Sequence, residues 1–95
     1  MEQEEGYPTD EALLKIENWD ANDPIGLFEY IKDYFNDHGR AWIEGENYNL
    51  ATGGWSGCED VIRAIDDNLP ISFMYWEGSQ RGGLHVYSFG KPFGK

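Results

Sequence analysis

The segment from Asp23 to Gly39 limits what this chain can fold into more tightly than any other. Asp23 is a residue type whose carboxylate accepts hydrogen bonds from the free N–H groups at a helix start, and Pro24 directly after it suits a first helical position, where a missing N–H removes nothing. Leu27, Phe28, Ile31, Tyr34 and Phe35 then recur at spacings of three and four, so the run reads as a helix with one apolar face. Gly39, after Asp37 and His38, reads as the left-handed residue that ends it. A face built of five such side chains must be covered, and the rest of the chain has to supply the cover.

An earlier helix is expected over residues 9–19. Thr9 is its cap, Asp10 and Glu11 sit at its positive end, and Ala12, Leu13, Ile16 and Trp19 repeat at helical spacing. Residues 1–8 show no apolar period and read as a flexible acidic arm. Beyond Gly39, residues 40–44 and 48–52 flank Gly45-Glu46-Asn47 and read as a hairpin. The turn Thr52-Gly53-Gly54-Trp55-Ser56-Gly57 follows. Ser56 with Glu59 three residues on has capping-box spacing, so a third helix is expected there, burying Val61, Ile62, Ile65 and Leu69 until Pro70 stops it. Residues 71–76 and 84–89 are rich in branched and aromatic side chains and read as two strands about a glycine-rich turn, with residues 90–95 as a frayed tail. The expected fold class is therefore α+β, in the order ααββαββ, with a four-stranded, mostly antiparallel sheet and helices on one face. At 95 residues, of which 40% are hydrophobic and 16% aromatic, residues 9–89 suffice for a single core, and an even split would leave pieces near the limit for independent folding.

Charge narrows the function. The formal net charge is -11. It is carried unevenly: residues 1–69 hold 17 acids and 4 bases, net -13, and residues 70–95 hold 1 acid and 3 bases, net +2. Such a chain repels nucleic acid and anionic membrane surfaces directly, and its natural complement is a basic protein. Cys58 is the only cysteine, which excludes an intramolecular disulfide and fits a reducing, cytoplasmic setting. The first residues lack the basic and apolar regions of a signal peptide, and no run approaches the length of a membrane span.

No residue pattern defines an enzyme or a metal centre. His38 and His85 lie on different elements without metal-ligand spacing, and the carboxylates of Glu59 and Asp60 beside Cys58 oppose formation of a thiolate nucleophile. Gly53–Gly57 matches neither the phosphate-binding loop nor the dinucleotide fingerprint. Arg81-Gly82-Gly83 is a single copy placed between strands, not a repeated RNA-binding tract. No cofactor is expected.

The block Thr52-Gly53-Gly54-Trp55-Ser56-Gly57, followed by Glu59-Asp60, Ile62, Trp76 and Arg81-Gly82-Gly83, resembles a family of small phage and prophage proteins of unassigned role. The chain departs from that pattern at Cys58, where asparagine is usual, and at Leu84 before His85. The resemblance implies a phage context and no particular chemistry. Small acidic phage proteins look like inhibitors of host machinery, restriction and CRISPR systems included, that imitate nucleic-acid phosphates. Two readings follow. The first is a non-catalytic inhibitor of a basic, nucleic-acid-binding host protein, with Asp10, Glu11, Glu17, Asp20, Asp23, Asp33 and Asp37 supplying charge and Trp55 with Arg81 a second contact patch. The alternative is a small-ligand or anion-binding module built on the Gly53–Gly57 turn, Arg81 and the tryptophans.

Overall fold

The computed structural model describes residues 1–45, 47–80 and 83–88, with the backbone alone at residues 76–80. The element order is β1 (Gln3–Glu4), β2 (Tyr7–Pro8), α1 (Asp10–Glu17), α2 (Pro24–His38), β3 (Arg40–Glu44), β4 (Asn47–Ala51), α3 (Ser56–Asp67), α4 (Leu69–Tyr75), β5 (Trp76–Gln80) and β6 (Leu84–Tyr87). The fold is α+β, with four helices and antiparallel strands among the described residues. The tail at 90–95 and Arg81 lie outside the described residues.

The first two helices start as their sequences dictate. The Thr9 hydroxyl accepts from the Ala12 N–H at 3.1 Å, and an Asp23 carboxylate oxygen accepts from the Gly26 N–H at 3.1 Å. The buried residues of α2 are Leu27, Phe28, Ile31, Tyr34 and Phe35, the whole of its periodic apolar face. Gly39 corrects the expectation of a left-handed cap. Its φ is -145°, and glycine is required there because a Cβ would lie 2.1 Å from the Ala51 carbonyl oxygen, where β4 passes the helix end.

In the larger sheet β3, β4 and β6 run antiparallel in that spatial order, and the β5 backbone pairs along the outer edge of β6. Pairing of Tyr48 with Tyr87 and of Leu50 with His85 puts these four side chains on one face, because directly opposed residues of antiparallel strands point the same way. That face closes the core. Leu50 and Tyr87 are fully buried with Ile16 of α1, Phe35 of α2, Ile65 of α3 and Ile71 of α4, and the Phe28 ring packs 4.3 Å from that of Tyr48.

Five further expectations are corrected. Residues 1–8 are not an arm: β1 and β2 form a hairpin whose turn, Glu5-Gly6, has positive φ at both positions, as two-residue hairpin loops favour. It is tied down by hydrogen bonds from the hydroxyls of Tyr30 to Glu2 and of Tyr34 to the Gly6 carbonyl. Strand structure is thus divided between this hairpin and the larger sheet, and the order ααββαββ does not hold. Residues 71–75 form α4 rather than a strand. The cause is Asn68: its carbonyl accepts from the Ser72 N–H and its side-chain oxygen from the Ile71 N–H, which starts a new helix with Pro70 in its first turn. Leu69 consequently leaves the buried face of α3 and is 71% exposed. Finally, Ser56 does not cap α3. Trp55 occupies the cap position without a side-chain capping bond, and its carbonyl accepts from the Glu59 N–H, so Ser56 is already inside the helix.

Candidate functional site

On α3, one side carries Cys58, Val61, Ile62 and Ile65 into the core, so the other must face water. That outer side holds Glu59, Asp60, Arg63, Asp66 and Asp67, which return at spacings of three and four and form one charged stripe. Arg63 stands in its middle and pairs with Asp60, Nη1 to Oδ1 at 3.2 Å, both side chains being solvated.

Two concavities flank the stripe. On one side α1 lies along α3, and Leu13 and Glu17 of α1 with Asp60, Arg63, Ala64 and Asp67 of α3 line an open groove of about 200 Å³. Among the described residues, three carboxylates share this groove with one cation. On the other side Thr52, Glu59, Ile62, Arg63, Asp66, Gly83 and His85 line a cavity of about 270 Å³ between α3 and β6. Burial holds the His85 imidazolium below the usual histidine range, against the opposing pull of Asp66 and Glu59. Burial raises the Asp66 carboxyl, with His85 acting to lower it and Asp67 to raise it. The cavity therefore favours a neutral imidazole beside its carboxylates.

The residues expected to carry charge are distributed by the fold. Glu17 alone among them lines the α1–α3 groove. Asp10 lines a separate depression with Glu4, Tyr7, Pro8 and Thr9, and Glu11 is exposed next to it in the first turn of α1. Asp20 and Asp23 do structural work in the α1–α2 connection: Asp20 accepts from the Asn22 N–H at 2.9 Å, and Asp23 caps α2 while its carbonyl accepts from the Trp19 indole. Asp33 and Asp37 are exposed on α2, which packs on β3 and β4 rather than along α1.

Trp55 holds the fold together. Its indole stacks with the Tyr7 ring, 4.8 Å away, and with the His38 ring, 5.3 Å away. Its Nε1 donates to the Gly6 carbonyl at 3.1 Å and to the Tyr34 hydroxyl at 2.9 Å. Gly57 lies under the same groups, since a Cβ there would be 2.0 Å from the Tyr34 hydroxyl. Through these contacts Trp55 joins the N-terminal hairpin to α2 and α3.

Cys58 is fully buried, and burial first, then Glu59, pushes its thiol up to about 11, so it stays protonated at neutral pH. Among the described residues no group of three His, Cys, Asp or Glu side chains is arranged to hold a metal ion, and no helix is long and apolar enough to cross a membrane. Sequence reasoning did not name Glu59, Asp60, Arg63 or His85 as partner-binding residues, and Asp66 and Asp67 entered it only as part of a broader acidic field. The helical spacing of the α3 charges was a sufficient signal for the stripe, but Glu17 and His85 reach it only through tertiary packing. Comparison with known proteins found no matching family model, no matching curated protein and no matching solved structure.

Proposed function

We propose that this chain is a non-catalytic binding protein whose α1–α3 groove docks on a Lys/Arg-rich, nucleic-acid-binding surface of another protein. The observation that carries the reading is the groove itself, where Glu17, Asp60 and Asp67 converge with Arg63 as the one cation among the described residues of its lining. Glu59 and Asp66 extend the negative surface around α3. A row of carboxylates on a rigid helix imitates the spaced negative charge that a nucleic-acid site is built to receive, and it draws a basic partner in over a distance of about a Debye length. The concavities, about 200 and 270 Å³, fall below the range of roughly 300–1,000 Å³ usual for small-molecule sites, which favours a macromolecular partner over the ligand-module alternative. The resemblance of the Thr52–Gly57 block to phage and prophage proteins supports a host protein as that partner and the host cytoplasm as the setting.

Competition tests the reading. The immobilised protein is exposed to a host extract at about 50 mM salt, where charge attraction is weakly screened, and the captured partner is challenged with its nucleic acid. The expected result is mutual exclusion. A partner that holds this chain and nucleic acid at the same time overturns the mimicry.

A further inference from the structure

We propose that the cavity between α3 and β6 is a receptor pocket for one arginine side chain of the basic partner. The inference rests on the preceding reading and names what the second concavity, outside the α1–α3 groove, would recognise.

The carboxylates come first. Glu59 and Asp66 are seven residues apart on α3, about 10 Å along the helix at ~1.5 Å per residue. His85 lies in the field of both, so a cation near its ring is attracted from two sides. Neither carboxylate has an ion pair among the described residues, because the guanidinium of Arg63, at the rim, is engaged by Asp60 on the groove side. Among the described residues the pocket therefore has carboxylate charge to offer, its rim arginine being paired on the groove side.

Shape and chemistry select the guest. The volume of about 270 Å³ suits a long side chain better than a nucleotide-sized ligand. Ile62 is an apolar wall for an alkyl stem, Thr52 is a buried hydroxyl in the lining, and the half-buried imidazole of His85 is a flat surface. A guanidinium matches this set. It is planar, stacks on rings, carries five donors that serve a carboxylate and a hydroxyl together, and sheds its hydration more readily than an ammonium. Lysine offers a compact, strongly hydrated charge that leaves the flat wall unused.

The same geometry makes occupancy depend on pH. Among the described residues, the charged groups lining the cavity with His85 are Glu59, Arg63 and Asp66, all from α3. A neutral imidazole leaves the pocket to the guest, whereas a protonated one supplies the cation itself. Burial favours the neutral form, so binding is full above the usual histidine range and weakens as pH falls through the lowered value.

Hexa-arginine and hexa-lysine peptides are the probes, titrated at about 50 mM salt and about pH 7.5 and followed by amide and imidazole NMR signals and by calorimetry. Hexa-arginine is expected to move the signals of Thr52, Glu59, Gly83 and His85 and to bind at least about fivefold more tightly than hexa-lysine, a gap consistent with one stacked, bidentate contact. The Glu59→Gln/Asp66→Asn protein should lose roughly tenfold in affinity for hexa-arginine, and more than Glu17→Gln/Asp67→Asn, which removes the same charge from the groove. Lowering the pH through the depressed range of His85, below the usual histidine range, should weaken binding more in the native protein than in His85→Gln, where only the raised Asp66 carboxyl still titrates. Equal binding of the two peptides, no loss in the Glu59/Asp66 variant with its amide spectrum intact, or a pH effect undiminished in His85→Gln overturns the arginine pocket and leaves the groove reading standing. Failure of both peptides to bind at low salt overturns both.

Discussion

Replacing Asn68 with alanine removes the side chain that fixes α1 against the α3–α4 junction, and with it the geometry of the acidic groove. Asn68 is 3% exposed. Its Nδ2 donates to the carbonyls of Ile16 and Trp19, each at 3.0 Å, and its Oδ1 accepts from the Ile71 N–H at 3.3 Å. The Ile16 carbonyl keeps a second donor, the Trp19 N–H at 3.1 Å, so its loss is partial. Removing a partner from a buried polar group costs about 1–3 kcal/mol, and loss of an N-cap about 1 kcal/mol. Counting one partial and two full losses, and allowing water to reach part of the gap, Asn68→Ala should destabilise by about 2–4 kcal/mol. That is a large share of the ~5–15 kcal/mol typical of a domain and corresponds to a drop in Tm of roughly 10–25 °C. Urea titration measures the first and a thermal melt the second. Asn68→Asp keeps the acceptor for Ile71 but loses both donors and adds a buried charge, so it should be at least as damaging. A change below about 0.5 kcal/mol in Asn68→Ala would refute the argument, because that is the range of a solvated surface site.

Gly57→Ala should destabilise by about 1–3 kcal/mol in the same titration, since its Cβ must displace the Tyr34 hydroxyl and the Trp55 indole. Ser56→Ala should change stability by less than about 0.5 kcal/mol, while Thr9→Ala, which removes a real cap, should lose about 1 kcal/mol; the two titrated side by side check where the helices begin. The Cys58 thiol should resist a disulfide reagent at pH 8 in the folded protein and react once urea unfolds it, because burial raises its pKa.

Much of this was legible locally. The apolar face of α2 from Leu27 to Phe35 and the caps at Thr9 and Asp23 follow from spacing and side-chain chemistry, and the β3–β4 pairing follows from two β-prone runs about Gly45. The misreadings share a cause. In residues 71–75 the apolar residues Ile71, Phe73 and Tyr75 alternate as in a strand, and the competing signal, Asn68 with Pro70 two positions on, carried the decision because Asn68 is held from α1 as well. The N-terminal hairpin has strands of two residues each and is held by Tyr30, Tyr34 and Trp55, distant in sequence. The candidate site divides in the same way. The α3 stripe is written in the sequence, whereas its partners Glu17 and His85 are set by packing of α1 and β6.

The direct test of an acidic docking groove is the rate at which the protein associates with its captured partner, measured by stopped flow from about 50 to 500 mM salt. Asp23 is unsuitable for charge reversal because it caps α2, and Asp20 supports the preceding turn. The informative protein is Glu17→Lys/Asp60→Lys/Asp67→Lys, with Asp33→Lys/Asp37→Lys on α2 as its control. The native rate should fall at least about tenfold across the salt range, and the groove reversal should produce a comparable loss at low salt while the α2 reversal produces much less. A rate indifferent to salt, or one reduced as much by the α2 pair as by the groove triple, would contradict docking through the α1–α3 groove.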